Sequence, residues 1–308
     1  MPGRECQPPR FRAPTPDDAA AVAEILIARE RADTGVADYT LEALRDEWSE
    51  SEFDLAADAI VVEAGEQGIV AYAIGWRPGT LAVVSPDFEG RGVGAQLLEW
   101  TQRNDREHGR SRHRQWVGSK NARARALLER AGYTQVRSYW RMIRPLSETE
   151  PEVTVPFGVR AVDPARDAEA LHACDRAAFS SAPDYEPESL TSFTEVHLGT
   201  HDFAPGLSLV AEDDGGRIAG FLLACRWPHE PIGYVDVLAV HPDFRRRGLG
   251  TAMLQTAFAR FAAEGLKEAQ LGVASDNPTA LRLYERIGMT PRRRVDTYER
   301  ALTAVGSA

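Results

Sequence analysis

Val240-His241-Pro242-Asp243-Phe244-Arg245-Arg246-Arg247-Gly248-Leu249-Gly250 joins two different kinds of sequence. Before it, Tyr234 to Val240 is apolar except for Asp236 and reads as a strand buried on both faces. After it, Gly250 to about Glu264 reads as a helix. Glycines in such a turn let the backbone bend tightly and come close to a ligand. Free amides at the helix start, helped by the helix dipole, form an anion site. Arg245, Arg246 and Arg247 add charge-assisted donors for phosphate. The turn lacks the Gly-Lys-Ser/Thr ending of a P-loop and the third glycine of a dinucleotide fingerprint. Taken alone, it reads equally well as surface arginines beside a helix cap.

The turn is spelled twice. Val84-Ser85-Pro86-Asp87-Phe88-Glu89-Gly90-Arg91-Gly92-Val93-Gly94 matches it with every residue 156 positions earlier. The same spacing links Asn121 to Asn277, Leu127 to Leu283, Glu129-Arg130 to Glu285-Arg286 and Gly132 to Gly288. Upstream the spacing falls to 149 (Gly68–Tyr72 against Arg217–Phe221) and 148 (Phe11-Arg12-Ala13 against Val159-Arg160-Ala161). A duplicated domain is the simplest account. The chain has 308 residues, which suits two domains of ~150 residues each. The segment Pro145 to Pro156 is rich in proline and acids and predicts an exposed linker, placing domains at 1–148 and 149–308.

Each copy gives one coarse reading. In the second, a strand (Val159 to Val162) leads to a helix (Asp167 to Phe179). Ser208 to Glu212 and Ile218 to Cys225 form a hairpin turned by Asp213-Asp214-Gly215-Gly216. Beyond the turn and its helix come a strand (Ala269 to Val273), a helix (Pro278 to Ile287) and a final strand (Arg294 to Leu302). The mixture predicts an α/β (α+β) class, a mixed central sheet flanked by helices in each copy.

Composition limits the partners. The chain is 43% hydrophobic and 27% charged, as a globular protein is, and its net charge is −10. That balance excludes a partner held mainly through phosphate contacts and so predicts no nucleic acid. Cys6, Cys174 and Cys225 are widely spaced, with no histidine at ligand spacing, so no metal site and no disulfide framework is expected. No apolar run nears the ~20 residues of a membrane span, and Met1 to Arg12 has no signal-peptide core. A cytoplasmic monomer or homodimer without a membrane partner is expected.

With these residues in view, the chain resembles the GNAT superfamily of N-acetyltransferases across nearly its whole length, as two copies, in the layout of the mycothiol synthase type. That family carries Arg/Gln-x-x-Gly-x-Gly/Ala after its fourth strand, and Arg245, Gly248 and Gly250 match it. The resemblance implies acetyl-CoA as co-substrate. It implies that the backbone of Leu238, Ala239 and Val240 holds the acetyl and pantetheine part. It further implies that the amides of Arg246, Arg247, Gly248, Leu249, Gly250 and Thr251 hold the pyrophosphate. The later Asn-(x)6-Tyr motif followed by a glycine matches as Asn277, Tyr284 and Gly288. Members of the mycothiol synthase type carry an acid two positions before Asp236, where this chain has Tyr234.

Transfer to an amine needs a neutral nucleophile and a proton for the departing thiolate. Tyr284 is a suitable donor, its pKa near 10 being that of a free phenol. It also fits an apolar stripe with Ala280, Leu283 and Ile287, which a core residue would do. Asp236, alone in an apolar strand, should have its pKa raised by desolvation towards that of a useful base; binding substrate or capping a loop is the other reading. His172, His197, His201 and His241 are read as surface or structural, although His241 follows the acetyl-holding strand. Acceptor specificity is assigned to Ser180–Phe203 and Trp227–Gly233, where Asp184, Glu186 and Glu188 could meet a cationic amine.

The first copy reads as disabled. Glu89 replaces Arg245, Leu128 replaces Tyr284, Thr80 replaces Asp236, and about seven residues are missing before its central strand. Val83, Val84, Arg91, Gly92, Val93, Gly94 and Ala95 leave it a possible second cofactor site. Two functions follow. One is acetyl transfer from acetyl-CoA to a primary amine of a small molecule or peptide, by direct attack in a ternary complex. The other is a non-catalytic acyl-CoA-binding or regulatory protein.

Overall fold

The computed structural model describes residues 8–75, 79–151, 153–182, 185–227 and 229–302; Cys6 and Asp184 lie outside them. Two compact units emerge, one from the residues up to Tyr139 together with those from Arg294 onward, the other from Trp140–Arg293.

The first unit follows the order β1 (Arg10–Arg12), α1 (Ala19–Thr34), α2 (Leu41–Trp48), α3 (Leu55–Asp58), β2 (Ala59–Glu63), β3 (Ile69–Ile74), β4 (Leu81–Val84), α4 (Val93–Glu107), β5 (Arg112–Gly118) and α5 (Ala122–Arg130). Strand β6 (Thr134–Pro145) begins in this unit and ends in the other. β1–β2–β3–β4 form an antiparallel sheet in that order.

The second unit repeats the plan with β7 (Gly158–Ala161), α6 (Pro164–Phe179), α7 (Leu190–His197), β8 (Leu209–Glu212), β9 (Ile218–Arg226), β10 (Ile232–Val240), α8 (Leu249–Ala263), β11 (Glu268–Ala274) and α9 (Pro278–Arg286). Its strands run β7–β8–β9–β10–β11, antiparallel except for the parallel β10–β11 pair. Val235, Leu222, Met253, Phe258 and Phe261 belong to a core on the α8 side, while Leu171, Phe193, Phe221 and Val237 form one beneath α6 and α7. Gly233 is required where α8 crosses the strand, because a Cβ there would lie 2.3 Å from the Phe261 ring. The mixed α/β class expected from the sequence is the class observed.

An ion triad marks the duplication. Arg12 holds Asp18 at 2.7 Å and Glu63 at 2.6 Å; Arg160 holds Asp167 at 2.6 Å and Glu212 at 2.5 Å. Both arginines lash the opening strand to the first helix and to the second strand.

The expected division near residue 148 is corrected on two counts. The last strand, β12 (Thr290–Ala301), leaves its own copy: residues 295–301 pair antiparallel with β5. Tyr298 is 2% exposed in the first unit's core beside Leu98, Val117, Leu128 and Tyr133, and Glu299 pairs with Arg112 and Arg114. Conversely, the end of β6 belongs to the second unit, where Leu146 just beyond it donates to the Lys267 carbonyl. The linker is not free either. Leu146, Val155 and Phe157 pack on the second unit's core, and Phe157 meets Phe244 edge-on. Pro145, Ser147, Glu148, Thr149, Pro151, Thr154 and Pro156 are nonetheless exposed, as the proline and acid content predicts.

Candidate active site

The central strand of the second unit is irregular where the chemistry was expected. β10 pairs with β9 through Val235↔Ala224 and resumes at Val237↔Leu223, so Asp236 is the extra residue of a β-bulge. Its pairing with β11 ends at Val235↔Leu271. Beyond that point the two parallel strands diverge, and the backbone of 236–240 has no ladder on that edge. Unpaired N–H and C=O groups on a strand edge can bind an extended polyamide-like chain. Leu238, Ala239 and Val240 lie on this stretch.

The strand was read as buried on both faces, and that is corrected. Val235, Val237 and Ala239 are buried, whereas Tyr234, Leu238 and Val240 are only half-buried and Asp236 is exposed. Exposure alternates along 234–240, and the carboxylate lies on the more open face with Tyr234, Leu238 and Val240.

After the strand, the chain turns into α8 with Gly248 as N-cap in the left-handed region (φ 79°). The first helical bond runs from the Ala252 N–H to the Gly248 carbonyl, so the amides of Leu249, Gly250 and Thr251 are free at the helix end. A Cβ at Gly248 would meet nothing within 4 Å, which leaves open space above the amides. One at Gly250 would touch Val240, Leu283 and Leu238 at 3.6–3.9 Å, so strand end, turn and α9 converge there. The arginines behave differently from expectation. Arg245 turns inward and donates to the carbonyls of Val240 (3.2 Å) and Ala178 (2.5 Å). Arg247 donates to the Asp243 carbonyl at 3.2 Å. Both brace the turn, because carbonyls lie within reach of their guanidinium groups. Arg246 takes a positive φ of 62° in the turn and is exposed. The His241 ring caps the turn, accepting from the Asp243 amide at 3.3 Å, with Arg217 beside it at 3.2 Å.

On α9, the Asn277 side-chain oxygen accepts from the Ala280 amide at 3.1 Å as N-cap. Tyr284, two turns on, is 9% exposed within the α8-side core. Burial, reinforced by neighbouring Tyr234, pushes its phenol up to about 12, so it stays protonated at neutral pH. The half-buried Tyr234 lies against the Arg141 guanidinium, 4.4 Å from its ring.

Asp236 has a partner the sequence did not announce. Its Oδ2 lies 2.6 Å from His197 Nδ1, and His197 Nε2 is 3.5 Å from Glu188. Burial opposes a charge on His197, but the Asp236 carboxylate and the bonds to Asp236 and Glu188 prevail and push the ring up to about 10. Asp175, beneath them, is pushed up to about 6 by burial. The sequence reading of His197 as a surface or structural residue does not foresee this contact. A helix signal was present: Ser189 caps α7 by accepting from Ser192 at 3.0 Å, and Leu190, Phe193 and His197 follow at helical spacing. His172 donates from Nε2 to the Glu188 carbonyl at 3.0 Å. Cys174 and Cys225 are buried with thiols raised by burial. Among the described residues no group of His, Cys, Asp and Glu suits a metal, and no helix is long and apolar enough to cross a membrane.

The equivalent region of the first unit holds a cavity of about 600 Å³. Ala82, Val84, Gly92, Gly94, Trp116 and Leu128 are among its walls. Val83, Val84, Arg91, Val93 and Ala95 occupy the same turn, with Arg91 over the Phe88 ring at 4.2 Å. Glu89 does not stand as a bare anion there: Arg29 meets one oxygen at 2.5 Å and Arg123 the other at 3.1 Å. Thr80, in place of Asp236, is 1% exposed and bonded to His113 and Gln115 at 3.1 and 2.7 Å.

Comparison with known proteins agrees with this layout. Residues 169–289 match the model of the Acetyltransferase (GNAT) family, and residues 55–135 match a second model described as Acetyltransferase (GNAT) domain. A mycothiol acetyltransferase of Thermobispora bispora is 33% identical over 219 residues, covering 68% of this chain and 71% of that protein. A GCN5-related N-acetyltransferase from Sphaerobacter thermophilus superposes with a TM-score of 0.76 at 28% identity over 95% of both chains. A tandem GNAT protein from the clavulanic acid biosynthesis pathway shares the fold, with a TM-score of 0.73 at 17% identity over 97% of this chain and all of that one.

Proposed function

This chain belongs to the GNAT family of acetyltransferases and is an acetyl-CoA-dependent N-acetyltransferase; we propose that its second copy does the work, on the primary amine of a small molecule or peptide. The observation that carries this is the bulge at Asp236 beside an unpaired strand edge, leading into a helix start with free amides. Acetyl-CoA supplies a thioester carbonyl carbon for direct attack by the amine nitrogen: a C–N bond forms and the C–S bond breaks. Leu238, Ala239 and Val240 offer backbone groups to the acetyl and pantetheine part. The amides from Arg246 to Thr251, with the NH2 of Asn277, face the pyrophosphate side. Asp236 takes the proton the amine must lose. Tyr284, protonated at neutral pH, gives one to the departing sulfur.

The relatives named mycothiol acetyltransferases make a mycothiol-type amine the first acceptor to try. For the first copy the second reading applies. A cavity of about 600 Å³ with Leu128 and Thr80 in the chemical positions suits holding acyl-CoA without turning it over. Calorimetric titration of acetyl-CoA, followed by CoA release against a panel of primary amines, tests both readings. Turnover with one or more amines is expected; binding without any turnover would favour the non-catalytic reading for the whole chain.

A further inference from the structure

We propose that His197 is a positioning residue, holding the Asp236 carboxylate in place over the β10 bulge so that its other oxygen meets the acceptor amine. This rests on the reading of Asp236 as the base. The physical need is specific to a bulge: residue 236 has no cross-strand partner on β9 and lies past the end of the β11 ladder, so the sheet alone does not fix its side chain. His197 provides the fixing. Its Nδ1 lies 2.6 Å from Asp236 Oδ2, so that bond engages one carboxylate oxygen and not Oδ1. Its Nε2 faces Glu188 at 3.5 Å, and Glu188 in turn accepts from the Ser192 hydroxyl at 3.2 Å. The ring packs against the fully buried Phe193, with centroids 5.1 Å apart.

The charged and titratable groups facing the pair are Asp175 and His172 on α6, Glu188 ahead of α7, Tyr234 on β10, Cys225 on β9 and Asp202. Carboxylates outnumber the other charges, so the ring stays imidazolium at neutral pH with both N–H groups directed at carboxylates. It therefore cannot accept the amine proton itself, and it acts through Asp236. The first copy has nothing comparable, since Thr80 is buried there.

The test uses the full chain, acetyl-CoA, and ethylamine in large excess as probe acceptor. His197→Leu should lower kcat about tenfold or more while leaving the KM for acetyl-CoA within about twofold. His197→Asn, which keeps an N–H donor near Asp236, should recover most of that loss. Equal activity of both variants with the wild type overturns the proposal. So does equal damage to both accompanied by a raised acetyl-CoA KM and a lower melting temperature, the pattern of a merely structural residue. A second arm needs no acceptor: nuclear magnetic resonance should find the His197 ring titrating near 10, and falling in Asp236→Asn. Titration at the ordinary value of about 6.5, or no response to Asp236→Asn, overturns the proposal as well. If instead Asp236→Asn remains fully active while Tyr284→Phe is dead, it is the base assignment that fails.

Discussion

The strand before the phosphate turn is four regular residues in the first copy and nine bulged residues in the second. Almost everything else about the two regions is shared: the ion triad, the left-handed glycine at the helix cap (Gly92 and Gly248), and the asparagine capping the next helix (Asn121 and Asn277). Even the strap between turn and first helix recurs with its polarity reversed. Arg29 on α1 reaches Glu89, while Arg245 reaches the Ala178 carbonyl on α6. The turn and its helix cap are thus common to both copies, while the bulge with Asp236 and the histidine that meets it belong to the second alone.

The strongest way to break this comparison is to fill the cradles in turn. Gly248→Asp forces a carboxylate into a left-handed cap and against phosphate; it should weaken acetyl-CoA at the second site by ~3 kcal/mol or more, roughly a hundredfold, and abolish turnover. Gly92→Asp should remove any binding at the first site yet leave turnover intact, as read by calorimetry and CoA release. If Gly92→Asp alone stops turnover, the two roles are reversed.

Next comes the proton donor. Tyr284→Phe should reduce kcat on the order of a hundredfold without changing acetyl-CoA affinity. The mirror change, Leu128→Tyr, should give the first copy nothing, since that copy lacks the bulge and its base. Any gain of turnover in Leu128→Tyr, Gly248→Asp would show that the phenol alone separates the copies.

How far the sequence revealed this contrast can be read from particular residues. Repeated spelling at 156 positions located both turns, and the hairpin and α8 fell within a residue or two of expectation. The bulge had only the trace of a lone Asp236 in an apolar strand, since a bulge changes spacing on one strand relative to a neighbour that the sequence does not identify. His197 was hidden for a related reason: its partner lies 39 positions away and the contact depends on α7 packing over β10. The pairing of the last strand with the first unit was invisible, because the pattern of 295–301 marks a strand but not which strand it joins.

A smaller effect separates scaffold from site. Arg160→Ala should strip buried Asp167 of both guanidinium bonds, leaving it the Asp163 amide and Arg166 at 3.7 Å, costing about 2 kcal/mol and lowering the melting temperature by roughly 5 °C. Arg12→Ala should do the same in the first copy. The arginine holds Asp167 below its usual value, so its stabilisation is complete above the unfolded value of about 3.9 and fades as pH falls through the folded one. The gap between variant and wild type should therefore be widest at neutral pH and close in strong acid. A gap independent of pH would mean that packing, not charge, is what the arginine contributes.

Smallest is Arg246→Gly. The first copy has Gly90 (φ 78°) where the second places Arg246 at φ 62°. Relief of that strain should stabilise the chain by about 1 kcal/mol in thermal melts, with acetyl-CoA affinity falling only slightly.

The pairing of residues 295–301 with β5 also bears on how the protein is made. During synthesis the first unit's other strands emerge early, but the strand that completes it follows only after the whole second unit, on the order of ten seconds later. Until then β5 offers an open edge to any passing strand. The nascent chain has to guard an unfinished domain through the whole translation of the second, and a ribosome that stalls after Arg293 releases a second unit with all its residues and a first that lacks its last strand.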